Sequence, residues 1–258
     1  NIVTLLNTAS GEDIKVPVEA SRPAGTAIDE GTSISPLDPT FSSITLKSQK
    51  VAVLTKVSRE LLTDSGIDVV SYLGRTLGTS VGVKVNNLLT VGTGTVEPNG
   101  IVTAAGSGIT GGTNVSGAFT ADNLIDLAHS VEGAYVRLGG AYSMRRETMG
   151  ALRKLKDNQG AYLYMPAATV GSPDTFASYP IVENPDVPAI ANGSDNDGKS
   201  VLFGWHGSYL VRQVGGIEVA RSDDAYFASD EVGFRVTIRV WGDLGQSDAV
   251  KYFIGNAA

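Results

Sequence analysis

Residues 68–89 read DVVSYLGRTLGTSVGVKVNNLL, and their apolar spacing decides the fold. Val70, Leu73, Leu77, Val81, Val85 and Leu88 recur at steps of three or four, one stripe at helical period. At about 1.5 Å per residue, a helix of about 22 residues spans ~33 Å, a long strut for a 258-residue chain. Gly74, Gly78 and Gly82 fall on every fourth position along it. Small residues four apart also mark membrane helices, but Arg75, Lys84 and Asn86 interrupt this stretch. The glycine line reads as a place where another backbone comes close.

Upstream, Ser58 is a good N-cap for a preceding helical segment, with Glu60 and Asp64 near its positive end, and Ser65-Gly66 breaks the two apart. Before it, residues 41–57 read FSSITLKSQKVAVLTKV, rich in β formers, and predict one long strand. Residues 21–40 carry turn signals at Arg22-Pro23, Gly25, Gly31, Pro36 and Pro39, with acidic Asp29, Glu30 and Asp38 among them. Residues 21–57 therefore read as an elongated hairpin with a loose acidic tip. That tip has few large apolar residues to pack it down, so it projects. Residues 1–20 read as an extended arm, with a short strand over Ile14 to Val18.

Downstream, residues 92–117 are rich in glycine and threonine, with a turn at Asn99-Gly100 and a short strand expected over Ile101 to Ala104. Thr120 can cap a helix whose stripe is Leu124, Leu127, Ala128, Val131 and Tyr135. A short strand, Ala141 to Met144, precedes a basic helix carrying Arg145, Arg146, Arg153, Lys154 and Lys156. Loops are expected at 157–160 and 184–200. The remainder has β character at 201–205, 208–213, 217–221, 232–241 and 250–254. Phe234, Val236, Ile238 and Val240 alternate with Gly233, Arg235, Thr237 and Arg239, a strand with one apolar face. The pattern is α+β.

Composition narrows the function. Apolar residues make up 42% and charged residues only 18%, against about 25% in ordinary soluble chains, which suits surface hidden against neighbours. A net charge of −7 argues against a dedicated nucleic-acid binder, while a mildly acidic wall around DNA would let it slide. The chain has no cysteine, so disulfides and thiolate metal sites are impossible. No apolar run approaches the ~20 residues that span a bilayer. The sequence opens on Asn1; either a leader has been cut off or the first residues are absent.

Catalytic patterns fail on inspection. Gly106 to Gly111 fits GxGxxG, but no helix opens on its last glycine, so a loop is the better reading. His129 and His206 stand in no zinc spacing and read as structural. The GxSxG elbow of hydrolases is missing. Asp195 to Gly198 lacks the ligand spacing of a calcium loop. Asp223-Asp224 reads as a turn. The basic run Arg145 to Lys156 contains no aromatic residue and reads as a solvated or subunit-facing helix. No enzyme activity, cofactor or metal is expected.

Four stretches in order carry a resemblance over nearly the whole chain: VSRELLTDS at 57–65, NNLLTVGTGTVEPNGIV at 86–102, LRKLKDNQGAYLY at 152–164 and IEVARSDDAYFASDEVGFRVTIRVW at 217–241. The chain resembles the major capsid proteins of tailed bacteriophages, with the fold first described for a Hong Kong phage, the Hong Kong 97-type capsid fold. The resemblance implies an N-terminal arm (1–20), an extended loop (21–57) lying over a neighbouring subunit, and a peripheral domain (58–117 and 215–243) with its spine helix from about 68 to 90. An axial domain (118–214 and 244–258) would surround the hexamer and pentamer axes. It further implies a virion shell assembled in the host cytoplasm around double-stranded DNA, without membrane contact. Portal protein and scaffolding or decoration proteins would be partners. A cleaved N-terminal scaffolding segment would account for the start at Asn1. One well-known member cross-links its subunits through a lysine–asparagine isopeptide bond. Here the lysine position is Ser43, and no asparagine stands near Ser229 and Asp230, so no such bond is expected.

Acidic Asp29, Glu30 and Asp38 are expected to meet Arg59, Arg75 or Lys84 of an adjacent subunit. An encapsulin-like bacterial nanocompartment shell, which shares the fold and encloses a cargo enzyme, is the alternative.

Overall fold

The computed structural model describes residues 3–21, 27, 31, 33, 38, 40–66, 68–111, 120–156, 159–162, 174–190 and 198–255. In chain order the elements begin with β1 (Thr4–Thr8), β2 (Ile14–Ser21), β3 (Thr40–Leu46), β4 (Gln49–Ser58), α1 (Arg59–Asp64) and α2 (Val69–Val91). Next come α3 (Ile101–Ala104), β5 (Gly106–Thr110), α4 (Ala121–Ser130), α5 (Gly133–Arg137), β6 (Gly140–Met144) and α6 (Arg146–Arg153). The chain closes with β7 (Thr175–Phe176), β8 (Tyr179–Glu183), β9 (Lys199–Trp205), β10 (Tyr209–Tyr226), β11 (Glu231–Leu244) and β12 (Val250–Ile254).

The long helix is α2; the expected cap at Ser58 forms on α1, and α2 has a cap of its own at Asp68. The Asp68 carboxylate accepts from the Ser71 N–H at 3.1 Å, and the Ser58 hydroxyl from the Leu61 N–H at 3.3 Å, each satisfying a donor the helix start leaves unpaired. Leu77, Val81 and Leu88 are buried, with Leu73 and Val85 packed beside them. The stripe starts at Val69, not Val70: Val69 is buried, whereas Val70 is 48% exposed.

Beneath α2 lies a four-stranded sheet of order β1-β10-β11-β4. β11 runs antiparallel to both neighbours, and β1 is parallel to β10. Phe234, Val236, Ile238 and Val240 face the helix, while Arg235 and Arg239 are exposed on the other side. Each such large side chain contributes roughly 1.5–3 kcal/mol by leaving water. A second sheet, of order β5-β12-β9-β6-β8-β7, packs with α4 and α6 around Tyr142, Met144, Phe203 and Phe253. Thr120 and Asn123 form a full capping box on α4. A third cluster joins the sheets, through Ile101, Leu202, Tyr209, Leu244 and Val250. The far end of α2 is tied to the turn after β8: Asn86 Nδ2 donates to Asn184 Oδ1 at 3.0 Å, and Asn184 Nδ2 to Thr90 Oγ1 at 3.0 Å.

Several elements differ from the sequence reading. The long strand expected over 41–57 is two strands in different sheets. β3 pairs with β2 in a separate ribbon, and β4 pairs with β11. The ribbon's first strand is Ile14–Ser21. Ile101–Ala104 is a helical turn, because the Gly100 carbonyl accepts from both Thr103 and Ala104. The glycine-rich Gly106–Thr110 is a strand, since β12 supplies a parallel partner. Residues 209–213 and 217–221 belong to one continuous strand, β10, with an irregularity between Val214 and Glu218, and Ser208 lies in the tight turn before it. There Gly215 takes φ +67, a conformation glycine adopts at little cost. Asp223-Asp224 lies inside β10 near its second irregularity, not in a turn. Tyr135 stands on α5, beyond the end of α4.

Candidate assembly surfaces

The ribbon is the first surface. Its base is packed, with Leu46 fully buried, whereas Thr40 to Ser43 are exposed and Phe41 shows 68% of its surface. A two-stranded ribbon is marginal by itself in water. Asp29 and Glu30 lie outside the described residues; Asp38 is exposed.

Other apolar side chains stand outward on the four-stranded unit. Tyr72 and Val83 of α2 are each 61% exposed; their spacing places them together on the face turned away from the sheet. Outside the helix's own backbone, nothing among the described residues comes within 4 Å of a Cβ built at Gly74, Gly78 or Gly82, so no described segment supplies the backbone expected to approach that line. β1 covers β10 only from Leu210 to Val214. Past that point the outer edge of β10 has no strand partner among the described residues, and Ile217 and Val219 are exposed there. Phe227, in the turn joining β10 to β11, is 82% exposed. Scattered apolar residues are ordinary on a protein surface; these are candidates for contact with other copies. The sequence reading passed over them; the signal was in Tyr72 and Val83, which repeat opposite the core stripe.

The expected contact residues are dispersed. Arg59 Nε stands 3.1 Å from Asp230 Oδ1 of the same chain, and Arg59 lines a cleft of about 310 Å³ with Leu62, Asp68, Arg221 and Val232. Arg75 and Lys84 are exposed on α2, with no ion pair among the described residues. Asp38 pairs with none of them.

No chemistry assembles around the histidines. His129 is exposed on α4. His206 is buried, its Nδ1 lies 3.1 Å from the Gly204 carbonyl, and burial pushes its pKa down to about 4. Asp223 is ion-paired to Arg221 at 2.8 Å. Among the described residues no cluster of acidic and histidine side chains could hold a metal, and no helix is long and apolar enough to cross a membrane. The residues 195–197 of the weak calcium pattern lie outside the described set.

A spine helix over one sheet, a second sheet joined to it through a common core, and an uncovered ribbon define a structural subunit built to meet other subunits. The chain belongs to the phage capsid family, whose model matches residues 1–254. No curated protein matches it. Among solved structures it is similar to the capsid of a native GTA particle computed with C5 symmetry, at a TM-score of 0.84 and 23% identity, covering 99% of this chain and 89% of that one. It is also similar to a chain from Mycobacterium phage Adephagia, with TM-score 0.73, 15% identity and coverage of 100% and 89%. A chain from Gordonia phage Cozz gives 0.74, 15%, and coverage of 100% and 85%. The protein is a major capsid protein, a structural, non-enzymatic component of the virion that assembles with copies of itself into the phage shell, and its fold is the Hong Kong 97-type. The nanocompartment alternative is not favoured.

Proposed function

We propose that this subunit forms hexamers and pentamers of an icosahedral shell around double-stranded DNA, each copy laying its ribbon over a neighbour. The observation that carries this reading is the ribbon itself, two strands with exposed outer residues and a buried base. In this reading the residues before β2 are the arm, the ribbon of β2 and β3 is the extended loop, the four-stranded sheet with α2 is the peripheral domain, and the six-stranded sheet with its helices is the axial domain. The two sheets, each with its own helices and core, support a division into two parts, but β4 and the whole of β10 go with the four-stranded sheet and β5 with the six-stranded one, so the boundaries expected from the sequence shift at those strands. The negative net charge of −7 suits a wall that does not grip phosphate. Assembly takes place in the host cytoplasm, with portal and scaffolding or decoration proteins as partners. Electron microscopy of the purified protein tests the reading: closed cages are expected, and a chain that stays monomeric under all conditions would sink it.

Two further outcomes are expected. Charge reversal at Asp29 and Glu30, whose proposed partners are Arg59, Arg75 and Lys84 of an adjacent copy, lowers the yield of closed shells. A single exposed pair contributes only ~0.2–1 kcal/mol, but the pair recurs in every copy. Normal shell yield would dismiss the pairing. Denaturing electrophoresis of assembled shells gives a single subunit band, because Ser43 is exposed where a linking lysine would stand. A ladder of covalent multimers would overturn that expectation.

A further inference from the structure

One side chain ties three segments of the chain together. Arg212, on β10, is fully buried at 0% exposure, and no carboxylate pairs with it among the described residues. Its Nε donates to Thr8 Oγ1 at 3.1 Å, its Nη1 to the Leu46 and Lys47 carbonyls at 2.7 and 3.2 Å, and its Nη2 to the Ser10 carbonyl at 2.8 Å. A guanidinium stays charged, and burying a cation without a counter-ion is costly unless fixed dipoles replace its water. The dipoles used here are not scattered. Residues 8–10 are where the chain leaves β1 for β2, and residues 46–47 are where it leaves β3 for β4. Both legs of the ribbon are therefore pinned at the base by one planar fork of donors.

The surroundings reinforce the joint. Ser48 Oγ donates to the Gly11 carbonyl at 3.0 Å, binding the two bends to each other. Lys47 Nζ stands 5.6 Å from the centre of the Trp241 ring, and Trp241 is the cross-strand partner of Arg212. A Cβ on Gly11 would lie 2.9 Å from Arg239 Nη1, so the bend passes close to the end of the Arg239 side chain.

We infer that Arg212 is a positioning residue for assembly: it sets the direction in which the ribbon leaves the body before a second copy is met. This rests on the reading that the ribbon docks on a neighbouring copy. A loosely hinged ribbon would lose conformational freedom at every contact, whereas a ribbon held by Arg212 is ordered within the subunit's own fold.

The test is hydrogen exchange on the unassembled full chain, followed by electron microscopy of its particles, for Arg212→Lys, Arg212→Met and Thr8→Val. Lysine carries one ammonium, which cannot serve both bends; methionine removes every donor of the fork; Thr8→Val removes the Nε acceptor together with the Thr8 hydroxyl's own bonds to the Ser10 and Gln213 carbonyls at 3.4 and 3.5 Å. For Arg212→Lys and Arg212→Met, amides of residues 9–13 and 46–49 are expected to exchange at least tenfold faster, with β11 and α4 unchanged, and particles to be irregular or open. Thr8→Val accelerates exchange at 9–13 alone and lowers shell yield. Native exchange at both bends overturns the inference. So does an equal acceleration across β11 and α4, which would make Arg212 an ordinary core residue. Native shells despite loosened bends overturn it as well. If Arg212→Met fails to fold, the other two variants decide. Failure of the unmutated chain to form shells would instead strike the docking reading, and the exchange pattern would still report whether Arg212 holds the bends.

Discussion

Gly204→Ala is expected to produce a chain that is mostly insoluble, or one whose thermal midpoint falls by about 8–16 °C. Gly204 lies in β9 with strands on both sides, opposite Ala141 of β6 and Val250 of β12. Its φ is +147°, and an added Cβ would stand 2.1 Å from the Ala249 carbonyl oxygen and 2.7 Å from Val250 Cα. Neither neighbour is a flexible side-chain end; both are backbone, so a central strand would have to move. An L-residue at such a φ costs about 1–3 kcal/mol, and overpacking adds roughly 1–3 kcal/mol. A sum of about 4 kcal/mol is a large part of a typical 5–15 kcal/mol stability, and each kcal/mol lowers the midpoint by about 2–4 °C in a chain of this size. Gly150→Ala is the control. It lies in α6 with nothing among the described residues, outside the helix's own backbone, within 4 Å of its Cβ position, and alanine there should stabilise the helix by about 0.5–1 kcal/mol. A native thermal midpoint for Gly204→Ala would refute the argument.

The second large effect is a loss of stability in mild acid that depends on His206. Burial is the main cause that drives its pKa from 6.5 down to about 4; the Gly204 carbonyl, which accepts from Nδ1, works against that shift. Nε2 is buried with no hydrogen-bond partner among the described residues, so none of them offers the second proton an acceptor. The unfolded chain takes up this proton near pH 6.5, and the folded chain does so only near pH 4. Between those values the unfolded state binds more protons, and stability drops as the pH is lowered. The contribution is complete above pH 6.5 and gone below about pH 4; integrated over the window it amounts to about 3 kcal/mol. Denaturant titrations of dissociated subunits from pH 7.5 to 4.5 should show a slope of up to ~1.4 kcal/mol per pH unit. His206→Gln should remove that slope while carboxylate titration remains. Superimposable pH profiles for the two proteins would rule His206 out as the cause.

Legibility of the site followed the same division as the fold. Arg59, Arg75 and Lys84 could be picked out as cations near a long helix, but Arg59 turns out to be engaged by Asp230. That pairing spans the chain from the start of α1 to the turn before β11, and no local pattern announces it. Arg212 gave no sign of its role. It sits in a short β-forming run, and its acceptors at Thr8, Ser10, Leu46 and Lys47 are far away along the chain. The exposed Ile217 and Val219 read as ordinary strand residues; they count as contact surface only because β1 stops at the partner of Val214.

The sequence by itself determined the features whose partners lie within a few residues. The α2 stripe, the caps at Ser58, Asp68 and Thr120, and the alternation along β11 all rest on contacts between neighbours in the chain, so spacing alone reveals them. Only the tertiary structure decided the break at Lys47-Ser48, the strand at Gly106–Thr110 and the continuity of β10. A glycine-rich segment has no strong local preference, and it becomes β5 because β12 offers it backbone hydrogen bonds. Residues 41–57 have uniform β character, yet they divide because two different strands compete for them and a buried guanidinium holds the bend. Strand pairing is a bond between remote segments, and its energy is not written in either one alone.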